Sequence, residues 1–191
     1  MFGRVRRLAR IVFGDRVLAD ADPEDLFDIS TGYLTLGANG YDTTGHAGLC
    51  FGTVDAAAFR EVEADLVDFL DVASAEAVHR DRLYEDDFGY TWVLATDDDF
   101  EALVTAVYGL TDTLIEAGFG QYLLSAAFAF EADRQVYLVY NFKRGQWYPF
   151  VPQGEGTRDT DQEAAVAELL EGELDLEADR DRQYGFWDIP L

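Results

Sequence analysis

Lysine is almost missing from this chain of 191 residues: Lys143 is the only one, and the other 13 basic residues are arginine, against 38 aspartates and glutamates. Cysteine is as scarce. A single one, Cys50, excludes an internal disulfide and suits a reducing cytoplasm. Long apolar runs are absent too, none approaching the ~18 residues that a bilayer-spanning helix requires. Arg6-Arg7 invites comparison with a twin-arginine export signal, but the apolar run after it is short and Asp15-Arg16 interrupts it, so no signal peptide is expected. The shortage of cations, with a formal charge of −24, gives the surface field the wrong sign for phosphate backbones and weighs against a nucleic-acid partner.

What is present is enough for one full core. Apolar residues make up 49% of the chain and aromatics 14%, which argues against charge-driven disorder. Acid excess with near-absent lysine and abundant Ala, Val and Asp points instead to a salt-filled cytoplasm, that of a halophilic archaeon. There carboxylates keep a protein hydrated while salt screens their repulsion. On this reading the acidity reports on the solvent and not on a partner.

Residues 1–16 break the pattern, with five arginines against Asp15 alone. At 100° per residue Phe2, Val5, Leu8, Ala9, Val12 and Phe13 share one face, and Arg4, Arg6, Arg7 and Arg10 take the other, with Ile11 out of place among them. This spacing predicts a basic amphipathic helix ahead of a single domain over 17–191. Arg4, Arg6, Arg7, Arg10, Leu8 and Val12 are candidates for docking on an anionic membrane surface or in a partner's groove. The alternative is a helix packed on its own domain.

Beyond it, Asp22 before Pro23 predicts an N-cap, with Leu26, Ile29, Tyr33 and Leu36 as an apolar stripe. Residues 46–53 read as a strand. A helix opening at Asp55 carries Phe59, Val62, Leu66, Phe69 and Leu70. Residues 78–84 and 90–96 read as a hairpin, and Asp98 with Glu101 as a capping box for a helix with Phe100, Leu103, Val104, Val107, Leu110 and Leu114 inward. "QYLLSAAFAF" predicts a central strand whose small face admits a helix, followed by strands "VYLVYNF" and "WYPFV". Pro149 places the last of these at an edge or makes it irregular. Thr160 and Glu163 are read as capping a final helix, and the aromatic tail "QYGFWDIPL" as packing back on the domain. The order α-α-β-α-β-β-α-β-β-β-α implies an α+β domain: a mostly antiparallel sheet of five or six strands with helices packed on it.

Several motifs tempt and fail. His79-Arg80-Asp81 and Asp87-Phe88-Gly89 imitate kinase signatures, but Glu85-Asp86 stand where a metal-binding Asn belongs, and no Gly-rich loop or strand lysine precedes them. Lys143 lacks the preceding glycine pattern of a phosphate loop. His46 and Cys50 offer two metal ligands, but with only His79 besides, a closed zinc site would need carboxylates, so no metal and no cofactor are expected. Acids 97–99 are explained by a helix N-terminus. An enzyme with a cleft near His46, His79 and the Asp86-Asp87 pair is the alternative to a non-enzymatic protein.

Arg144-Gly145 fits a tight turn and places Lys143 and Arg144 on a hairpin tip beside Trp147, Tyr148 and Phe150. That patch is either a solvated turn over core aromatics or a basic, aromatic contact surface. Its residues also carry a likeness. "DDFGYTWV", "GFGQYLLSAAFAF", "VYLVYNFKRGQWYPFVP" and "FWDIP", with "LFDISTGYLTL" upstream, resemble the PspA-associated protein PspAB family from about Asp22 onward. The resemblance implies an accessory protein of a phage-shock-type envelope stress response, with a PspA-like coiled-coil, membrane-associated protein as partner. It implies no catalytic residues. Lys143, Arg144, Gly145, Trp147 and Tyr148 fall in the matching segment and are the candidate partner-binding residues. The expected location is the cytoplasm, at the inner face of the membrane. A third reading is a chaperone-like module holding a partner helix on an uncovered sheet face.

Overall fold

The computed structural model describes residues 22–52, 64, 66, 83–86, 89–154, 156–187 and 189–191. The expected N-terminal helix and most of the helix expected from Asp55 lie outside them; Ala64 and Leu66 are helical and Leu66 is buried.

Asp22 caps the first element as its spacing predicted, its carboxylate accepting the Glu24 N–H at 3.0 Å. Six residues of 3-10 helix, Pro23–Asp28, lead into α1 (Ile29–Ala38). β1 (Asp42–Phe51) follows, starting four residues earlier than expected because Gly45, at φ 72°, allows a bulge. A Cβ there would stand 2.8 Å from the Asp97 carbonyl, so the close approach requires glycine. β2 (Leu83–Glu85) and β3 (Thr91–Thr96) precede α2 (Phe100–Glu116). The cap of α2 is Asp99 and not Asp98: its carboxylate accepts from Glu101 N and Ala102 N at 3.0 and 3.4 Å. Then come β4 (Leu123–Glu131), β5 (Gln135–Asn141), β6 (Gln146–Phe150), the small pair β7 (Pro152–Gly154) and β8 (Thr157–Arg158), and α3 (Thr160–Leu169).

The main sheet has six strands, all antiparallel, in the order β2-β3-β1-β4-β5-β6. The α+β expectation and the strand count hold. β4 is central, as its apolar faces required, and β6 is terminal, as Pro149 required. The Trp147 N–H points outward, away from β5, and donates to the Asp175 carbonyl. Pro149, two residues on, has the same orientation, so its missing donor costs no ladder bond.

Both faces of the sheet are covered. On one, α1, α2 and α3 bury Ile29, Leu36, Val104, Val107, Leu114 and Val166 against Phe128, Phe130, Leu138 and Tyr140. Phe100 joins the parts of this layer, stacked on Tyr33 at 4.2 Å and tilted against Phe128 and Phe130. Each such side chain contributes about 1.5–3 kcal/mol by leaving water. The expected pairing of the small face of β4 with a helix is reversed. Phe128 and Phe130 meet the helices, while Ala127 and Ala129 line the opposite face.

That second face is filled by Tyr137, Tyr148, Phe150 and Trp92, and over them lies the C-terminal segment. Phe186 stands edge-on to Trp92 at 5.4 Å, and Trp187 edge-on to Phe150 at 5.8 Å. Trp187 Nε1 donates to the Thr157 carbonyl at 3.0 Å, and the Tyr137 hydroxyl to the Leu191 carbonyl at 3.3 Å. The tail packs back as its aromatic content predicted, and small residues on β4 make room for it.

Candidate functional site

The β5–β6 hairpin is built on Asn141. Its carbonyl accepts both the Arg144 N–H at 3.0 Å and the Gly145 N–H at 2.8 Å, and its Oδ1 accepts the Lys143 N–H at 2.9 Å. Gly145 completes the turn at φ 68°. Phe142 folds under, buried, with its N–H donating to the Leu124 carbonyl at 3.1 Å.

Lys143 is not a free tip. Its ammonium donates to the Gln121 carbonyl at 2.6 Å, bracing the hairpin against the turn that precedes β4. Burial lowers its pKa from the ordinary lysine value. Arg144 is the exposed cation of the loop, and its guanidinium lies against the Tyr184 phenol of the C-terminal segment. Burial raises the Tyr184 pKa and Arg144 opposes that rise.

Trp147 and Tyr148 do not belong to a surface patch. Adjacent strand residues point to opposite faces, and here both faces are covered. Trp147 is 1% exposed and packs on Tyr140 and Phe128 at 5.0 and 6.0 Å. Tyr148, also 1% exposed, lies under the C-terminal segment, where burial pushes its pKa well up while the Arg158 charge pulls it back. The expected contact set therefore contracts to Arg144, Gly145 and the outer part of Lys143.

The outer edge of β6 is closed as well. The Trp147 carbonyl accepts the Glu177 N–H at 2.8 Å, the Pro149 carbonyl accepts from Arg158, and the Val151 N–H donates to Glu163 at 2.9 Å. Arg158 meets both Glu163 oxygens at 2.7 and 2.8 Å and donates to the Gln183 carbonyl. Glu163, expected to cap α3, does not do so: Asp159 caps it by accepting the Gln162 N–H. Sequence reasoning missed this buried ion pair because Glu163 stands at a position where caps and surface acids are common.

Of the residues expected to line a cleft, the two described ones lie apart: His46 pairs with Thr96 at one end of β3, whereas Asp86 follows Glu85, which pairs with Thr91 at the other. The His46 ring is exposed, with Nδ1 2.7 Å from the Thr44 carbonyl, whereas Cys50 is buried about 13 Å further along the strand. Burial and the Asp86 charge push the Cys50 thiol well up. Asp86 accepts the Tyr90 N–H and Trp92 Nε1, fixing the β2–β3 connection. His79 and Asp87 lie outside the described residues, as do Arg4, Arg6, Arg7, Leu8, Arg10 and Val12. A cavity of about 310 Å³ opens beside α1, lined by Tyr33, Leu34, Gly37, Tyr41, Asp42 and Thr43, and neither His46 nor Asp86 reaches it. No described helix is long and apolar enough to cross a membrane.

The family model for PspAB, PspA associated protein B, matches residues 6–191. The chain belongs to the PspAB family. The match reaches further than the likeness from Asp22 onward, taking in most of the arginine-rich segment. The hairpin, the covered sheet and the C-terminal segment are thus features of a PspAB domain. No curated protein and no solved structure matches the chain.

Proposed function

We propose that this PspAB chain is a non-enzymatic accessory protein of a phage-shock-type envelope stress response, and that it binds a PspA-like coiled-coil protein at the cytoplasmic face of the membrane. The observation that carries the proposal is the family match over nearly the whole chain, since the family takes its name from association with PspA. Two features bear on how the contact is made. Among the described residues both faces of the central strands and the β6 edge are occupied by the chain itself, which leaves no open surface there for a partner helix and, at β6, no free ladder for strand addition. Arg144, exposed on a hairpin braced by Lys143, offers a fixed cation on an acidic protein, suited to an acidic stretch of a partner helix.

Co-purification of the full-length chain with the PspA-like protein of the same cell, at native salt, tests this. Recovery by the wild type and loss with Arg144→Glu supports the proposal. Failure to recover that protein under several envelope stresses overturns it, and recovery unaffected by Arg144→Glu removes the hairpin from the contact.

A further inference from the structure

The outer surface of α1 differs from the rest of the protein. The helix, ISTGYLTLGA, has no charged residue in a chain that is 27% charged. Its solvent-facing positions are Thr31, Leu34, Gly37 and Ala38, and Phe27 lies one turn ahead of them. Leu34 is 69% exposed and Phe27 40%, two of three large apolar side chains exposed among the described residues. The 310 Å³ cavity continues this strip past Leu34 to Tyr41. A solvated helix on so acidic a protein has no reason to omit charge along its whole length. An uncharged strip with two exposed large side chains is what a covered face requires.

The surroundings state the charge of the cover. From Asp22 to Asp133 the described residues contain fifteen carboxylates and neither lysine nor arginine. Asp25 and Asp28 stand together at the Phe27 end, where burial and the Asp25 charge raise the Asp28 pKa. Glu101 reaches the same helix through Ser30 Oγ at 2.9 Å, and Asp42 lines the cavity at the far end. An apolar strip rimmed by acids fits an amphipathic helix whose polar face is cationic.

The sequence of this chain offers a segment with that pattern. Residues 2–13 combine Phe2, Val5, Leu8, Ala9, Val12 and Phe13 on one face with Arg4, Arg6, Arg7 and Arg10 on the other. The segment is tethered at Asp22, the N-terminal end of the same strip. A helix over 2–13 would be about 18 Å long against about 15 Å for α1. The eight residues 14–21 can span up to about 26 Å, enough to reverse direction and return along the strip. Tethering raises the local concentration of the segment to the order of millimolar, ahead of any partner in solution.

We infer that residues 2–13 dock as an antiparallel helix on the outer face of α1, with their apolar side on Phe27, Thr31 and Leu34 and their arginines toward the flanking carboxylates. The first segment is then part of the domain. Its four arginines offset part of the charge of those fifteen carboxylates, and it is available to a membrane or another protein only when it leaves this face.

Cross-linking in the full-length chain tests the inference. The double variant Leu8→Cys with Thr31→Cys is treated with a short bis-maleimide and the products are mapped by mass spectrometry. Cys50 is fully buried, so the introduced thiols are the ones that react. The expected result is an intrachain link between positions 8 and 31 in the monomer. Adding Leu34→Asp should slow its formation about tenfold or more, because a carboxylate then faces the apolar side of the segment. A control pair of Leu8→Cys with Asp181→Cys, whose neighbour Arg180 bonds the Thr160 carbonyl at the start of α3, should not link. Links between chains only would assign the face to a second copy and overturn intramolecular docking. So would equal rates for the Thr31 and Asp181 pairs, or a rate unchanged by Leu34→Asp.

Discussion

The Arg158 Nε–H is shared between both oxygens of the Glu163 carboxylate, at 2.7 and 2.8 Å, with only 2% of the Glu163 side chain exposed, and that ion pair seals the terminal strand of the sheet. Glu163 also takes the Val151 N–H, and Arg158 reaches the carbonyls of Pro149 and Gln183 and lies 5.0 Å from the Phe150 ring. The charges are desolvated, but hydrogen bonds within the protein replace those lost to water. Glu163→Ala removes the acceptor for two buried donors at once and should cost about 3–5 kcal/mol in urea denaturation. Glu163→Gln keeps an oxygen for Val151 and should cost less. Arg158→Met with Glu163→Leu should recover part of the loss, though the Val151 N–H then stays unpaired.

The parts of this fold that repeat in sequence were legible there. α2 was found because Phe100, Leu103, Val104, Val107, Leu110 and Leu114 recur at three and four residues, and all are buried as expected. β4 was recognised as central because both of its faces are apolar. Which face meets the helices was not legible, since alternation defines two faces without naming what covers each. The second cover is the C-terminal segment, which has almost no regular structure and so no period. Without it Trp147 and Tyr148 look like surface aromatics. The turn geometry at Gly145 was readable, whereas the brace from Lys143 to Gln121 joins residues 22 apart through a backbone carbonyl, which no side-chain pattern records.

The C-terminal segment should behave as a structural layer. Phe186 is 8% exposed and packs edge-on against Trp92, so Phe186→Ala should destabilise the fold by about 3 kcal/mol. Truncation after Gln183 should expose Tyr137, Tyr148 and Phe150 together. The checks are urea denaturation for the substitution, and binding of a hydrophobic dye with loss of solubility for the truncation.

Alkaline pH should unfold the protein through its buried phenols. Burial raises the Tyr137 pKa from 10.0 to about 12, and raises that of Tyr140 further, with Asp25 assisting. Between these values and the unfolded value near 10, only the unfolded chain loses the proton. The tyrosine contribution is therefore complete below pH 10 and is lost as pH rises through the folded pKa values. Lys143, with a lowered pKa, acts in the opposite direction, but it is one partly exposed group against several phenols. Denaturation midpoints followed from pH 9 to about pH 12 should fall, and Tyr137→Phe should flatten that fall.

The single lysine gives the most specific expectation. At position 143 the side chain must carry one compact donor to one carbonyl, 2.6 Å away, from a half-buried site. Arginine would bring a planar head with five donors, most of them without acceptors there. Lys143→Met removes the brace and should cost about 1 kcal/mol. Lys143→Arg should fail to restore it, although arginine serves at every other basic position of this chain. Gly145→Ala, which forces a side chain into a left-handed turn, should cost about 1–2 kcal/mol by a separate route. The two losses are measured in the same urea titrations and combined in a double variant. If Lys143 acts only by holding the loop that Gly145 shapes, the double variant loses less than the sum. If the brace instead secures the turn before β4, the effects add. Hydrogen exchange at Phe142, whose N–H bonds to the Leu124 carbonyl, reports loop opening directly and should rise in both single variants under the first case, and only in Gly145→Ala under the second.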